Sequence, residues 1–544
     1  MSTLFYNGKI YLEREKFAEA VFVKDGLIEK VGTTEELLKL ADEDCEKIDC
    51  EGKTVMPGLN DSHLHLMVWG DLLQSVKIRD CHSIDDLVER CKKFIKENPE
   101  LTKNGLTSTG WNEDLFTEGE KRLPNRHDMD RISTEIPVIL KRVCSHALVA
   151  NTKAIEMLGL DGNSPQYEGG VFEIGEDGYP NGIFKENACR KILAIVPPYT
   201  IEAREKMFIA AMKDAVSKGI TSVQSNDVGA VMLGDKNESF AMFRKVYAEG
   251  NGLLRYHHQI TFQSPEELNK YAQEGELAKI KELYPEDSWV TLGPLKLFKD
   301  GSLGAKTAML EKGYIDDPDN HGESRFDEKY IEDLCMAADT NGMQIVIHAI
   351  GDGAINSLMT TLEKLIKDGK NPLRHGLIHC QITDRAALER MVKSDIIVFY
   401  QPCFLNYDIH IVEKRCGAEM ASTSYAFKTY EELGGKVTYG SDCPAEIYDP
   451  FPGIYCAVTR KDFKGFPEGG FYPNECVDVY TAVDAYTIGS AYAQFMEDKK
   501  GRIKEGYYAD MILIDRDIFS IDPMEIKDTK VLLTMVGGKV VYKA

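Results

Sequence analysis

The chain has 544 residues, of which 43% are hydrophobic and 28% charged, and it lacks any run of about 18 apolar residues that could cross a bilayer. This composition favours a soluble globular protein that is long enough for more than one domain. The formal charge of −23 opposes binding to nucleic acids and anionic membranes, so we expect a small-molecule substrate and neither of those partners.

Two features of the sequence predict a cytoplasmic protein. The 13 cysteines include no CxxC pair, which indicates reduced thiols rather than a disulfide framework. The first residues, MSTLFYNGKIYLEREKF, lack the basic start and apolar stretch of a secretory signal.

Both ends of the chain show the pattern of short β-strands. Apolar runs alternate with Gly and Asp turns over residues 1–56, and again over residues 498–544. We therefore predict that the two ends pair into one small β-sandwich domain.

Residues 57–497 show eight strand-like segments, most of them followed by a helical pattern. Each segment ends in polar residues, and the helical stretches carry apolar residues at three- and four-residue spacing. Strands alternating with helices in this way predict an α/β fold with a (β/α)8 TIM barrel. The segments are TVMPGLNDSHLHL, GITSVQSND, LLRYHHQIT, LGPLKLFKDGS, MQIVIHAIGD, LRHGLIHCQ, DIIVFYQPC and KVTYGSDCPA.

The first two of these segments are too far apart for an ordinary loop. Residues 67–205 separate them, so we predict a cap subdomain inserted within the barrel after its first strand. Such a cap would help to shape the substrate pocket.

A pair of histidines ends the first barrel strand. His63 and His65 are two residues apart, so their side chains point to the same face of that strand. Active sites of TIM barrels lie at this end of the strands, and two imidazoles there suit a divalent metal of the zinc type. By itself an HxH pattern also occurs by chance or for structural reasons.

Three more polar residues end other predicted strands. His348 and His379 follow apolar runs, and Asp442 follows VTYGS, where a carboxylate can ligate a metal and accept a proton from water. Each residue alone has an ordinary explanation, as a core histidine or a turn aspartate. All of them together at strand ends, with His63 and His65, favour a metal site.

Lys296 lies within the predicted fourth strand, and the residues alone leave its role open. A buried ammonium beside metal cations would be repelled, whereas carboxylation by carbon dioxide would make it an anionic ligand. A solvated or salt-bridged lysine is the alternative. Lys299 is a rival candidate, although it points to the opposite face of the strand.

Ordered motifs along most of the chain resemble the amidohydrolase superfamily, specifically its YtcJ-like branch, which includes N-substituted formamide deformylases. The resemblance rests on MPGLNDSHLHL, GWNEDLF, SHALVANTKAI, GYPNGIFKENA, KLFKDGSLGAKTAML, HAIGDGAI, HCQ, YQP, GSDCPAEIYDPF and GRIKEGYYADMILIDRD. It implies one or two divalent metals, held by His63, His65, carboxylated Lys296, His348, His379 and Asp442. In the cap-region motifs, the candidates for substrate contact are Trp111, His146, Asp177 and Lys185.

The expected activity is hydrolysis of a non-peptide C–N bond, of amide or formamide type, by metal-activated water. Asp442 would be the catalytic acid and base. Zinc is the expected metal, with iron, manganese or nickel as alternatives, and a homodimer is the candidate assembly.

Three other functions stay open at this point. One is a deaminase or esterase of the same superfamily, because activated water serves those reactions as well. Another is a non-catalytic metal-binding scaffold, and the third is a regulator, against which the absence of a DNA-binding motif counts.

Overall fold

The computed structural model describes residues 2–113, 116–142, 147–167, 170–196, 199–230, 232, 235–273, 289–446 and 448–544. The chain divides into two compact units. One unit comprises residues 1–69 and 211–544, and the other comprises residues 70–210. Among the described residues, no helix is both long and apolar enough to span a membrane.

A parallel eight-stranded sheet forms the barrel of the larger unit, which confirms the predicted (β/α)8 fold. Its first and last strands meet through backbone hydrogen bonds, in which Asp442 N donates to His63 O (2.8 Å) and His65 N donates to Cys443 O (2.8 Å). All eight predicted segments contribute a strand. In order around the barrel the strands are Leu59–Leu64, Ile220–Ser225, Arg255–Ile260, Val290–Phe298, Ile345–Ala349, Gly376–His379, Ile397–Tyr400 and Lys436–Tyr439.

Helices of the larger unit follow most of the barrel strands, and several begin at an aspartate that caps the helix. Asp327 accepts a hydrogen bond from Tyr330 N (2.7 Å), and Asp384 accepts one from Ala387 N (2.7 Å). These carboxylates satisfy amide groups that have no partner within the helix. The helices are Lys236–Ala248, Pro265–Gln273, Glu328–Thr340, Asp352–Leu362, Arg385–Lys393, Leu405–Asp408, Val412–Ser422, Phe427–Glu432, Pro450–Thr459, Val479–Ala485 and Ile488–Ala493.

Two smaller sheets of the same unit build the predicted sandwich from both chain ends. Thr54–Pro57 pairs with Lys9–Glu13 on one side and with Met511–Ile514 on the other, so the two ends share one sheet. In order, that sheet contains Lys539–Lys543, Val531–Val536, Met511–Ile514, Thr54–Pro57, Lys9–Glu13 and Lys16–Ala18. The other contains Leu27–Gly32, Ala20–Lys24, Ser2–Tyr6 and Glu46–Asp49, with the short helix Thr34–Leu38 following the first.

The smaller unit falls in the chain between the first and second barrel strands, where the insertion was predicted. Helices Leu66–Gln74 and Ile201–Ser217 carry the chain into it and out of it. Its sheet contains, in order, Gly170–Ile174, Pro180–Glu186, Ala147–Ala150, Val138–Arg142 and Leu106–Trp111. Its helices are Ile84–Glu97, Pro99–Thr102, Arg126–Asp130, Thr152–Leu158 and Asn187–Leu193. The predicted domain limits, and the role of this unit as a cap, stay predictions.

Candidate metal centre

The two histidines that end the first barrel strand lie beside the aspartate that follows the eighth. The rings of His63 and His65 are 5.4 Å apart between centroids. Their Nε2 atoms lie 3.4 Å and 3.5 Å, respectively, from the same carboxylate oxygen of Asp442. Because parallel strands end at the same rim, residues from opposite ends of the barrel sequence meet here.

The other ring nitrogen of each histidine faces an oxygen that can only accept a hydrogen bond. His63 Nδ1 lies 2.7 Å from Gln259 Oε1, and His65 Nδ1 lies 2.8 Å from the carbonyl oxygen of Asn226. Each Nδ1 must therefore carry the hydrogen, which leaves an Nε2 lone pair directed at the Asp442 carboxylate in the neutral imidazole. Two lone pairs and an anion converge, and a cation is what such a set of donors accommodates.

Two further histidines extend this group around the rim. The His379 ring lies 6.0 Å from that of His63 and 4.4 Å from that of His348. His348 Nε2 donates to the carbonyl oxygen of Gly301 (2.9 Å), which leaves Nδ1 as its lone-pair nitrogen. Within the described part of the chain, neither ring nitrogen of His379 has a hydrogen-bond partner. A buried imidazole without a partner is costly unless it binds a ligand.

The two candidate lysines of the fourth strand have different surroundings. Lys296 is fully buried, and its ammonium lies 3.7 Å from the centroid of the Phe298 ring. Within the described part of the chain, this ammonium donates a hydrogen bond to the carbonyl oxygen of Leu297 (3.3 Å). Lys299 is also buried but forms an ion pair with Glu328. Lys296 is therefore the lysine without a carboxylate bound to its amine.

Burial shifts the pKa values of these groups toward their neutral forms. It lowers the pKa of His65 to about 4 and that of His348 to about 3, and the charge of Lys296 adds to both shifts. Neutral imidazole is the form that binds a metal. Burial also lowers the pKa of Lys296 and raises that of Asp442, while the attraction between these two opposite charges opposes both shifts.

The backbone is strained where two of these side chains enter the site. His379 has a φ of 79° and Asp442 a φ of 53°, in the left-handed region that favours glycine. Gly440 lets the eighth strand approach the first, because a Cβ there would lie 2.6 Å from His63 N. Such strain costs about 1 to 3 kcal/mol per residue and is characteristic of functional sites.

Several residues that orient the site were missed by the sequence analysis. Gln259 and Asn226 hold the first two histidines, and Asn226 Nδ2 in turn donates to Gln259 O (2.9 Å). Asp61 accepts hydrogen bonds from Ser441 N (3.0 Å) and Ser441 Oγ (2.6 Å), which fixes the turn before Asp442. The available signal was the presence of polar residues at the ends of otherwise apolar strands.

The four predicted substrate contacts belong to the other unit of the chain. Trp111 is buried, and its indole donates to the carbonyl oxygen of Leu140 (2.9 Å). Asp177 pairs with Arg126, and Lys185 pairs with Glu173. His146 lies outside the described residues. Contact with substrate stays a prediction for all four.

Comparison with known proteins identifies the family. Residues 46–542 match the Amidohydrolase family. The chain belongs to this family. YtcJ of Bacillus subtilis (strain 168) is 33% identical over 546 residues, covering 100% of both chains. The N-substituted formamide deformylase of Arthrobacter pascens is 26% identical over 544 residues, which cover 97% of this chain and 96% of that protein.

The fold of a solved structure agrees with this family. An uncharacterized metal-dependent hydrolase from Pyrococcus furiosus superposes with a TM-score of 0.78 and 28% identity, over 96% of this chain and 100% of that one. The amidohydrolase is therefore a hydrolase of carbon–nitrogen bonds other than peptide bonds, and its family implies a divalent metal. The donor set around Asp442 suits such a metal.

Proposed function

We propose that this amidohydrolase cleaves an amide or formamide-type C–N bond of a small molecule with metal-activated water. The observation that carries the proposal is the convergence of His63 Nε2 and His65 Nε2 on one oxygen of Asp442, 3.4 Å and 3.5 Å away. The similarity to a named formamide deformylase along nearly the whole chain favours this bond type over others.

The residues that would hold one or two divalent ions, with zinc as the first choice, surround that convergence. They are His63, His65, Lys296, His348, His379 and Asp442. When bound, such a metal polarises the substrate carbonyl and lowers the pKa of water toward neutrality. Gln259 and Asn226 keep the first two imidazoles oriented, and His63 is buried from bulk water.

Asp442 moves the proton in the proposed reaction. One carboxylate oxygen takes a proton from the attacking water, whose oxygen forms a bond to the carbonyl carbon. The C–N bond then breaks, and Asp442 returns the proton to the leaving nitrogen. The products are a carboxylic acid and an amine, so one water is consumed and the carboxylate is regenerated.

Lys296 is proposed to be carboxylated. Its amine would add to carbon dioxide and lose a proton, giving a carbamate anion. This step requires the neutral amine, and burial lowers the pKa of Lys296 from its ordinary value toward neutrality. The anion would also replace a buried ammonium whose charge adds to the effect of burial in lowering the pKa of His63, His65, His348 and His379.

Metal content tests the proposed ligands independently of the substrate. We expect stoichiometric metal, measured by mass spectrometry, in wild-type protein from zinc-supplemented medium, and its loss in His63→Ala and Lys296→Ala. Lys329→Ala is the matched control, because Lys329 lies on the surface and pairs with Asp333. Metal-free wild-type protein would instead favour the scaffold function.

Turnover tests the reaction and the role of Asp442. We expect formate release from N-formyl-phenylalaninamide, and a loss of about 100- to 10,000-fold in kcat for Asp442→Asn. Asp235→Asn is the control, since Asp235 caps a helix where Asn serves equally well. Near-wild-type turnover of Asp442→Asn would remove its catalytic role, and ammonia release from ring amines without formate release would indicate a deaminase.

The expected partners also stay proposals. We propose a small-molecule substrate with no nucleic acid, and a homodimer that sedimentation would test.

A further inference from the structure

Arg325, which has no acidic partner among the described residues, lies near the candidate metal centre. The guanidinium carbon of Arg325 lies 5.5 Å from the centroid of the Phe298 ring. The backbone N of Arg325 donates to the carbonyl oxygen of Lys299 (2.8 Å), which holds this segment at the end of the fourth barrel strand. The residue is exposed, so its planar group is accessible to a ligand.

Phe298 connects this arginine to the candidate ligands. Its half-buried ring lies 3.7 Å from Lys296 Nζ and 5.9 Å from the ring of His348. The same ring therefore lies near both the Arg325 guanidinium and two of the candidate ligands.

Three carboxylates of the adjoining segments are already engaged with other groups. Glu328 binds Lys299 and the hydroxyl of Ser357, and Asp327 caps its helix at Tyr330 N. Asp300 accepts hydrogen bonds from three backbone amides. Among the described residues, none forms a hydrogen bond or ion pair with the Arg325 guanidinium, which leaves its donors to solvent or a ligand.

We propose that Arg325 binds a carboxylate of the substrate, so that the preferred substrates are N-acyl amino acids or similar anionic amides. A guanidinium and a carboxylate form a planar pair with two parallel hydrogen bonds. A guanidinium that packs on an aromatic ring is already oriented for such a pair. A second half-buried ring, Phe404, is stacked on His379 with centroids 5.7 Å apart. Aromatic rings beside His348 and His379 suit an apolar side chain in the same substrate.

This inference rests on the proposed function, and a matched pair of substrates tests it. N-formyl-phenylalanine carries the carboxylate, and N-formyl-phenylalaninamide replaces it with a neutral amide. We expect the metal-loaded wild type to prefer the acid. Arg325→Ala should raise KM for the acid by about 10- to 150-fold, with little change in its kcat or in either constant for the amide.

Two further variants separate charge from geometry and from general damage. Arg325→Lys keeps the positive charge but lacks the planar guanidinium. Its KM for the acid should lie between those of wild type and Arg325→Ala. Arg385→Ala is the matched control, because this arginine lies on the surface with Glu389. Equilibrium dialysis of N-acetyl-phenylalanine should show the same loss of binding in Arg325→Ala without requiring turnover.

The outcomes distinguish the two proposals. Hydrolysis of the amide with no preference for the acid, and no effect of Arg325→Ala on the acid, would overturn the inference and leave the proposed function intact. Hydrolysis of neither substrate would overturn the proposed function for this substrate class. Equilibrium dialysis would then test the inference by itself. Equal binding of N-acetyl-phenylalanine by wild type and Arg325→Ala would overturn it.

Discussion

Both ends of the barrel bury charged groups, but the partners of these groups differ between the two ends. At the base, defined here by Arg255, Lys500 and Asp510, the Arg255 guanidinium binds the Asp510 carboxylate at 2.7 Å and 3.1 Å, and Lys500 Nζ donates a hydrogen bond to Ser222 Oγ. At the rim, defined by the six candidate metal ligands, lone pairs face a carboxylate. A buried ion pair is costly to break from one side, whereas imidazole lone pairs that face a carboxylate mark the end of the barrel where ligands bind.

Breaking the Arg255–Asp510 ion pair at the base should have a large effect on stability. Asp510→Ala leaves the buried Arg255 without its partner, so we expect the free energy of unfolding in urea to fall by about 3 to 5 kcal/mol. Metal content per folded molecule should not change. The double variant Arg255→Met/Asp510→Leu, which removes both charges, should recover part of the loss. An unchanged unfolding curve for Asp510→Ala would show that the ion pair is not a stabilising feature.

Removing an orienting group at the rim should affect metal binding more than folding. Gln259→Leu deletes the acceptor for His63 Nδ1, so we expect metal affinity, measured by competition with a chelator, to fall about 10- to 100-fold. Gln259→Glu retains an acceptor oxygen and should keep most of the affinity. If Leu and Glu at this position bind metal equally, the hydrogen bond to His63 has no role in the site.

A further expected effect is a pH dependence of stability that originates at the base. Burial lowers the pKa of Lys500 to about 7, whereas an unfolded lysine keeps a value of about 10.4. Between these values the folded state binds fewer protons than the unfolded state, so stability rises with pH. The Tm of the wild type should therefore rise relative to that of Lys500→Met from about pH 7 to about pH 10. Parallel Tm curves for the two proteins would contradict the shifted pKa.

The sequence determined the barrel and the positions of its candidate ligands. Strand periodicity placed His63, His348 and His379 at strand ends, and parallel strands bring their ends to one rim. The alternation of side chains along a strand also placed Lys296 and Lys299 on opposite faces, as their different partners show. These properties depend on neighbours in the chain, which a sequence displays directly.

Only the tertiary structure decided which distant residues orient these ligands. Gln259 lies 196 positions from His63 and Ser441 lies 380 positions from Asp61, and nothing in the local pattern pairs them. The Arg325 guanidinium has no acidic partner among the described residues, and the sequence could not show this, since a charged residue in a loop carries no local sign of whether a partner will fold beside it. Local sequence fixes backbone periodicity, but hydrogen-bond partners depend on how the strands close into a barrel, and that is a property of the whole chain.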